Sequence, residues 1–174
     1  MKHNSKFASF NILAKGDYPA ELNIGLPFTL VSNDVANDKL VLMPGYWFIY
    51  NMYALERNAW KYVDRDKRTD KVQHIEYDYL APDTINELFD AMKLLQSLKP
   101  NEDGIATAEG IENSSRVTEI VKVPQSITLF KELVQYYAVT AIVKHISKTK
   151  PDSFETLKKS LSAKIQRSKW LNIG

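Results

Sequence analysis

The stretch "FASFNILAKGDYPAELNIGLPFTLV", residues 7–31, carries the choice of fold. It has no helical period. It offers short extended runs at Phe7–Leu13, Glu21–Ile24 and Phe28–Val31, broken at "KGDYP" and "GLP", whose Gly and Pro residues set turn dihedrals. Ile12, Tyr18, Ile24 and Leu30 are spaced six apart. That is the step of a left-handed β-helix coil, with one apolar side chain per short strand pointing inward. The same residues also suit an irregular β arm packed over helices. "VSNDVANDK" then reads as a polar loop, so residues 1–43 are expected to form an extended arm and 44–174 a helical domain.

Helical patterning begins after Pro44-Gly45. "YWFIYNMYALERNAWKYVDRDKR" (46–68) predicts a helix from Tyr46 to Asp64 with Phe48, Met52, Leu55, Ala59 and Val63 on one face. Arg57 and Lys61 fall on the far side, with Tyr50. Glu56 borders the apolar stripe one turn from Met52 and Trp60, which predicts a partly desolvated carboxylate. "KVQHIEYDYL" alternates as a strand does. "APDTINELFDAMKLLQSL" has the start signals of a capped helix, with Pro82, Asp83/Thr84 and Glu87. "KPNEDGIATAEGIENSSR" is polar and Gly-containing, and reads as a mobile loop. "VTEIVKV" is a short β-like run. The stripe Ile127, Phe130, Val134, Tyr137, Ala141 and His145 predicts a helix over Ser126–Ser147, the most buried of the set. A last helix starts at Asp152/Ser153, with Phe154, Leu157, Leu161 and Ile165 as its stripe, ending at Trp170. The fold expected is mainly α: a four-helix assembly with a short N-terminal β arm and one or two short strands.

Composition narrows the functional classes. With 44% apolar and 25% charged residues the chain has an ordinary globular balance, and a net charge of +2 provides no field to recruit nucleic acid. The absence of cysteine excludes a thiolate metal site and a cysteine nucleophile, and fits a reducing cytoplasm. No apolar run has the roughly 18–20 residues of a membrane span. His3, His74 and His145 are scattered, so no metal and no cofactor is expected. "AKGDYP" has too few glycines for a phosphate cradle and reads as a turn. Glu76 and Asp78 suit the wet side of an edge strand as well as acid–base work. Tyr50, Tyr53 and Trp60 with Glu56, Arg57 and Lys61 have the make-up of a carbohydrate- or base-stacking surface, or of a core or protein interface.

Taken together, "KHNSKFASFNILAKGDYPAELNI", "LPFTLVSN", "MPGYWFIYNMYALERNAWKYVDRDKR" and "QHIEYDYLAPDTINELF" resemble the C-terminal part of a bacterial family of long hexapeptide-repeat proteins. In that family a left-handed β-helix, as in acyltransferases and on sugar-nucleotidyltransferases, precedes a mostly helical extension. The resemblance implies that Ile12–Leu30 are the last rung and exit of a β-helix. It implies a role in capping, homo-oligomer assembly or acceptor binding, with a sugar or sugar-nucleotide ligand. The upstream coils that would hold a catalytic histidine are not in this sequence, and no catalytic residue is carried over. The enzyme alternative is a sugar-1-phosphate nucleotidyltransferase-type site on the 46–64 helix with Glu56 as base.

Overall fold

"VSNDVANDK" is not a loop throughout: residues 31–34 and Lys39 are strand, and only residues 35–38 turn. Asp34 accepts hydrogen bonds from the Asn37 backbone and side-chain amides, and Asp38 takes a left-handed conformation (φ 49°). The turn joins β4 (Leu30–Asp34) to β5 (Lys39–Met43), which pair antiparallel with Val31 opposite Leu42. Leu40 and Leu42, two apart, are both fully buried, as the period of a strand requires.

The computed structural model describes residues 2–70, 72 and 77–162. They contain seven strands and five helices rather than four helices with a β arm. Three short strands precede the hairpin: β1 (Lys6–Phe7), which pairs with β3 (Asn23–Ile24), and β2 (Ile12–Leu13), which pairs with β4. With β6 (Ala106–Thr107) and β7 (Val117–Ile120) they complete a five-stranded mixed sheet of order β2-β4-β5-β7-β6 and a separate β1-β3 pair. The mainly-α expectation is therefore corrected. Local patterning missed the sheet because β5 lies beside β7, far along the chain, in a parallel pairing that periodicity does not reveal.

The short strands repeat. Lys6 and Phe7 lie beside Asn23 and Ile24, seventeen residues on, and Ile12 and Leu13 lie beside Leu30 and Val31, eighteen on; both pairings are parallel. Lys6 and Ala8 donate to Leu22 and Ile24, while Ile12 and Ala14 donate to Thr29 and Val31. Alternation along a strand turns the amides and carbonyls of Phe7 and Leu13 to the other side, where no strand pairs among the described residues. Of the six-spaced residues, Tyr18 and Ile24 are buried, and Ile12 and Leu30 are half-buried.

The helices are α1 (Tyr46–Tyr50), α2 (Met52–Arg65), α3 (Pro82–Ser97), α4 (Val123–Thr149) and α5 (Phe154–Ser162). α3 starts on Ala81 with Pro82 in its first turn and has no side-chain cap. Glu87, expected to close a capping box, instead accepts the Ser9 amide and ties α3 to the segment between β1 and β2. Ser153 does cap α5, its Oγ accepting the Thr156 amide at 3.2 Å. The described residues form two compact units, which divide between Val134 and Gln135. The first unit holds the core: Phe28, Leu26, Val31, Leu40, Leu42, Leu88, Leu95, Ile120, Val123 and Phe130 are all buried.

Two burial expectations are corrected. α3 buries six residues and α4 only four, Val123, Ser126, Phe130 and Leu133, all in its first half. The second unit holds the rest of α4 and α5, and none of its described residues is buried. Nor is the 99–116 segment loose. Asn101 Oδ1 accepts the Asp103 and Ile105 amides, Asn23 donates to the Ile111 carbonyl, and Asn113 donates to the Glu21 carbonyl. Half of the strand read in "KVQHIEYDYL", including His74 and Glu76, lies outside the described residues, as do Ile165 and Trp170.

Candidate functional site

The aromatic segment is not one helix. Asn51 leaves helical dihedrals (φ −146°, ψ 34°) and separates α1 from α2, which resets the phase of the side chains. The α1 side belongs to the core edge. Phe48 meets Phe28 edge-on (ring centroids 5.0 Å apart) and Tyr79 at 5.9 Å, and Trp47 Nε1 donates to the Phe10 carbonyl at 2.7 Å. Gly45, at φ 72°, starts α1; a Cβ there would sit 2.5 Å from a Leu129 methyl, so close packing as well as conformation requires glycine.

On α2 only Leu55 is buried. Its partners on the expected apolar face, Met52 and Val63, are more than half exposed, as are Tyr53 (78%) and Trp60 (64%). At 100° per residue these four and Glu56 cover one continuous outward arc. The helix thus has an apolar arc wider than the core uses. Glu56 is exposed rather than desolvated, and its carboxylate accepts the Tyr79 hydroxyl. Arg57 is exposed as expected. Lys61 is half-buried between Arg57 and Arg65, one turn away on either side; burial first, and then these two like charges, hold its pKa below the ordinary lysine range. Tyr50 is exposed, tilted against Tyr46 and topped by the Lys122 ammonium, 5.8 Å from its ring centre. On the flank of α2, Tyr62 stacks on Tyr77 (4.9 Å) and receives a hydrogen bond from Arg68, which also pairs with Asp66.

The structure therefore puts Tyr53, Glu56 and Trp60 on one outward surface of α2, with Arg57 at its border. It separates Tyr50 from them by the break at Asn51. An exposed carboxylate keeps its hydration, so Glu56 lacks the desolvation that makes a carboxylate an effective base. The arrangement can stack flat rings and hydrogen-bond hydroxyls; it encloses no reacting atom. A shallow hollow of about 380 Å³ lies on the first turns of α4, lined by Pro124, Gln125, Thr128, Leu129 and Glu132. Among the described residues, no group of three His, Asp or Glu side chains converges as a metal site would require.

One polar cluster escaped the sequence reading. Arg116 grips Glu112 with two hydrogen bonds (2.9 Å from Nε and 2.5 Å from a terminal nitrogen) and donates to Asn33 at 2.6 Å. Ser114 donates a third hydrogen bond to the same carboxylate. The Glu112 and Arg116 side chains are only 1% and 11% exposed. The Arg116 hydrogen bonds hold the Glu112 carboxyl below the ordinary range, against a burial effect of opposite sign. Arg116 is raised by the same bond. Nearby, burial pushes the Tyr18 phenol up while its hydroxyl donates to the Ala14 and Val31 carbonyls. The only trace in sequence is an opposite-charge pair four residues apart in "ENSSR", inside a segment whose composition suggests solvent.

Compared with known proteins, the chain is 35% identical over 172 residues to an uncharacterised protein of Treponema pallidum (strain Nichols), a match covering 86% of this chain and 24% of that protein. The chain thus spans about a quarter of the curated relative it matches. No family model matches the chain. No solved structure matches it. No helix among the described residues is long and apolar enough to cross a membrane.

Proposed function

We propose that this chain is an end module of a longer hexapeptide-repeat, transferase-like protein. In this reading residues 6–34 form the final turn of a parallel β coil, and the helices close that turn and serve assembly or acceptor binding. The observation that carries it is the pair of parallel registers at seventeen and eighteen residues, with the backbone of Phe7 and Leu13 turned toward the side where another turn would lie. The relative's much greater length fits the same picture. The transferase class, for sugar-nucleotide or acyl transfer, comes from the resemblance, and catalysis belongs to coils outside this sequence. A cytoplasmic setting fits the absence of cysteine.

The test is a graft. Coils of hexapeptide repeats are joined ahead of Lys2 so that their last strands precede Phe7 and Leu13 by about one turn. The fusion should melt as one unit, and the Phe7 and Leu13 amides should become protected from hydrogen exchange. Two separate melts with unchanged exchange would overturn the reading.

A second reading is favoured by the outward Tyr53 and Trp60, with a carboxylate between them: α2 binds an acceptor saccharide, its rings stacked on the aromatics and its hydroxyls on Glu56. Titration with soluble linear polysaccharides should quench tryptophan fluorescence in the parent chain and not in Trp60→Ala. Equal quenching in both would remove this reading.

A further inference from the structure

The second unit poses a problem of its own. Its part of α4 (residues 135–149) and α5 are rich in apolar side chains, yet no residue from Gln135 to Ser162 is buried. Short helices gain most of their stability from covering an apolar face, and these two leave most of theirs open. The exposure has a pattern. Tyr136, Val139, Val143 and Ile146 follow one another at intervals of three, four and three residues. Each is more than a third exposed, with Tyr136 at 63% and Val139 at 60%. Alternating intervals of three and four residues are the step of a supercoiled helix seam as well as of an ordinary amphipathic face.

α5 does not close this seam. His145 and Ser160 are within hydrogen-bond distance at 3.1 Å, which sets α5 toward the His145 side of α4. At 100° per residue that side is more than a quarter-turn from the middle of the seam. The positions flanking the seam are Gln135, Thr140, Ile142, Ser147 and Thr149, none of them charged. A partner of opposite charge therefore has nothing to grip, while an identical seam meets no like-charge repulsion. With Ile142, these side chains leave on the order of 400–500 Å² exposed per chain, taking about 150–200 Å² for a large apolar side chain. That is more than half of the roughly 800 Å² each partner contributes to a specific interface. Phe154 and Leu161 of α5 are also exposed and add to it.

We propose that the Tyr136–Ile146 seam of α4 is the docking surface for a second copy of this chain, joined helix to helix. The assignment does not depend on the coil reading, since it rests on different residues in a different unit. The test uses the full chain. Light scattering after size exclusion should give at least twice the 19.9 kDa chain mass. Val139→Lys with Val143→Lys should return the mass to that of one chain, while Ala138→Lys, off the seam, should leave the assembly intact. A single-chain mass for the parent at about 100 μM, or assembly that survives the double substitution, overturns the proposal. So does a parent that becomes oligomeric only after truncation at Ser162, because the seam would then be covered within one chain. Loss of fold in the double variant is met by cross-linking. The chain has no cysteine, so Val143→Cys provides a unique thiol. A short bismaleimide should join copies of Val143→Cys and not of Lys144→Cys; equal yields overturn the surface.

Discussion

Two segments of the first unit invert each other's expectation. The 99–116 segment is polar and glycine-containing, yet it carries the most buried ion pair among the described residues and exchanges backbone hydrogen bonds with Glu21 and Asn23. Helix α2 is aromatic and amphipathic, yet it turns Tyr53 and Trp60 to solvent. Composition measures what a residue would cost to bury alone. It does not measure whether a partner is waiting. A carboxylate that meets a guanidinium and a hydroxyl in fixed geometry can be inside, and an apolar arc wider than its neighbours remains outside.

The comparison breaks most easily at Glu112. Glu112→Ala leaves Arg116 buried without its partner and should cost about 3–5 kcal/mol in chemical denaturation. Acid should act on the same pair. Because the folded Glu112 pKa lies below the ordinary 4.5, its stabilisation is complete above that pH and is lost as pH falls through the lowered value. The parent should therefore lose stability below about pH 4.5 along a steeper limb than Glu112→Gln, measured by melts across pH. Equal limbs would mean that the pair is not what holds the segment. Next in size is Leu55→Ala, the one buried anchor of α2, expected to cost about 2–4 kcal/mol.

Hydrogen exchange sharpens the contrast without mutation. The Asn23, Ala108 and Asn113 amides, bonded to Ile111, Thr118 and Glu21, should exchange slowly despite their polar surroundings. Rapid exchange there would restore the mobile loop. The smallest effects belong to the outward face. Tyr53→Ser and Trp60→Ser should each shift stability by no more than about 0.5 kcal/mol. Glu56→Ala, which removes one exposed hydrogen bond from the Tyr79 hydroxyl, should cost less than about 1 kcal/mol. A loss of several kcal/mol at Trp60 would place that ring in a core.

What the sequence disclosed follows from the range of its signals. The helical stretch from Tyr46 onward (though not its break at Asn51), α3, α4 and the start of α5 were legible because periodicity, Pro82 and Ser153 act within a turn or two of chain. The six-residue spacing at Ile12–Leu30 was also local, and two of its four side chains are buried. The sheet was not legible, because β5 recognises β7 more than seventy residues away, and neither strand alone says which edge it will join. The candidate face was half legible. Phase around α2 correctly grouped Glu56 with Met52 and Trp60, but phase tells which residues share a side, not whether that side is covered.

The outward backbone of Phe7 and Leu13 also bears on how the chain behaves when it is concentrated. A strand border with unsatisfied amides is a template for any extended polypeptide that drifts past, which is the first step of fibrillar aggregation. Here each border strand is only two residues long, and Lys6 and Lys15 stand beside them. Short length denies a template its cooperativity, and lysine ammonium groups act as gatekeepers by making the approach of a like chain unfavourable. Replacing both lysines with threonine should turn a clear solution turbid at a lower protein concentration, and the precipitate should bind an amyloid dye while the parent stays clear.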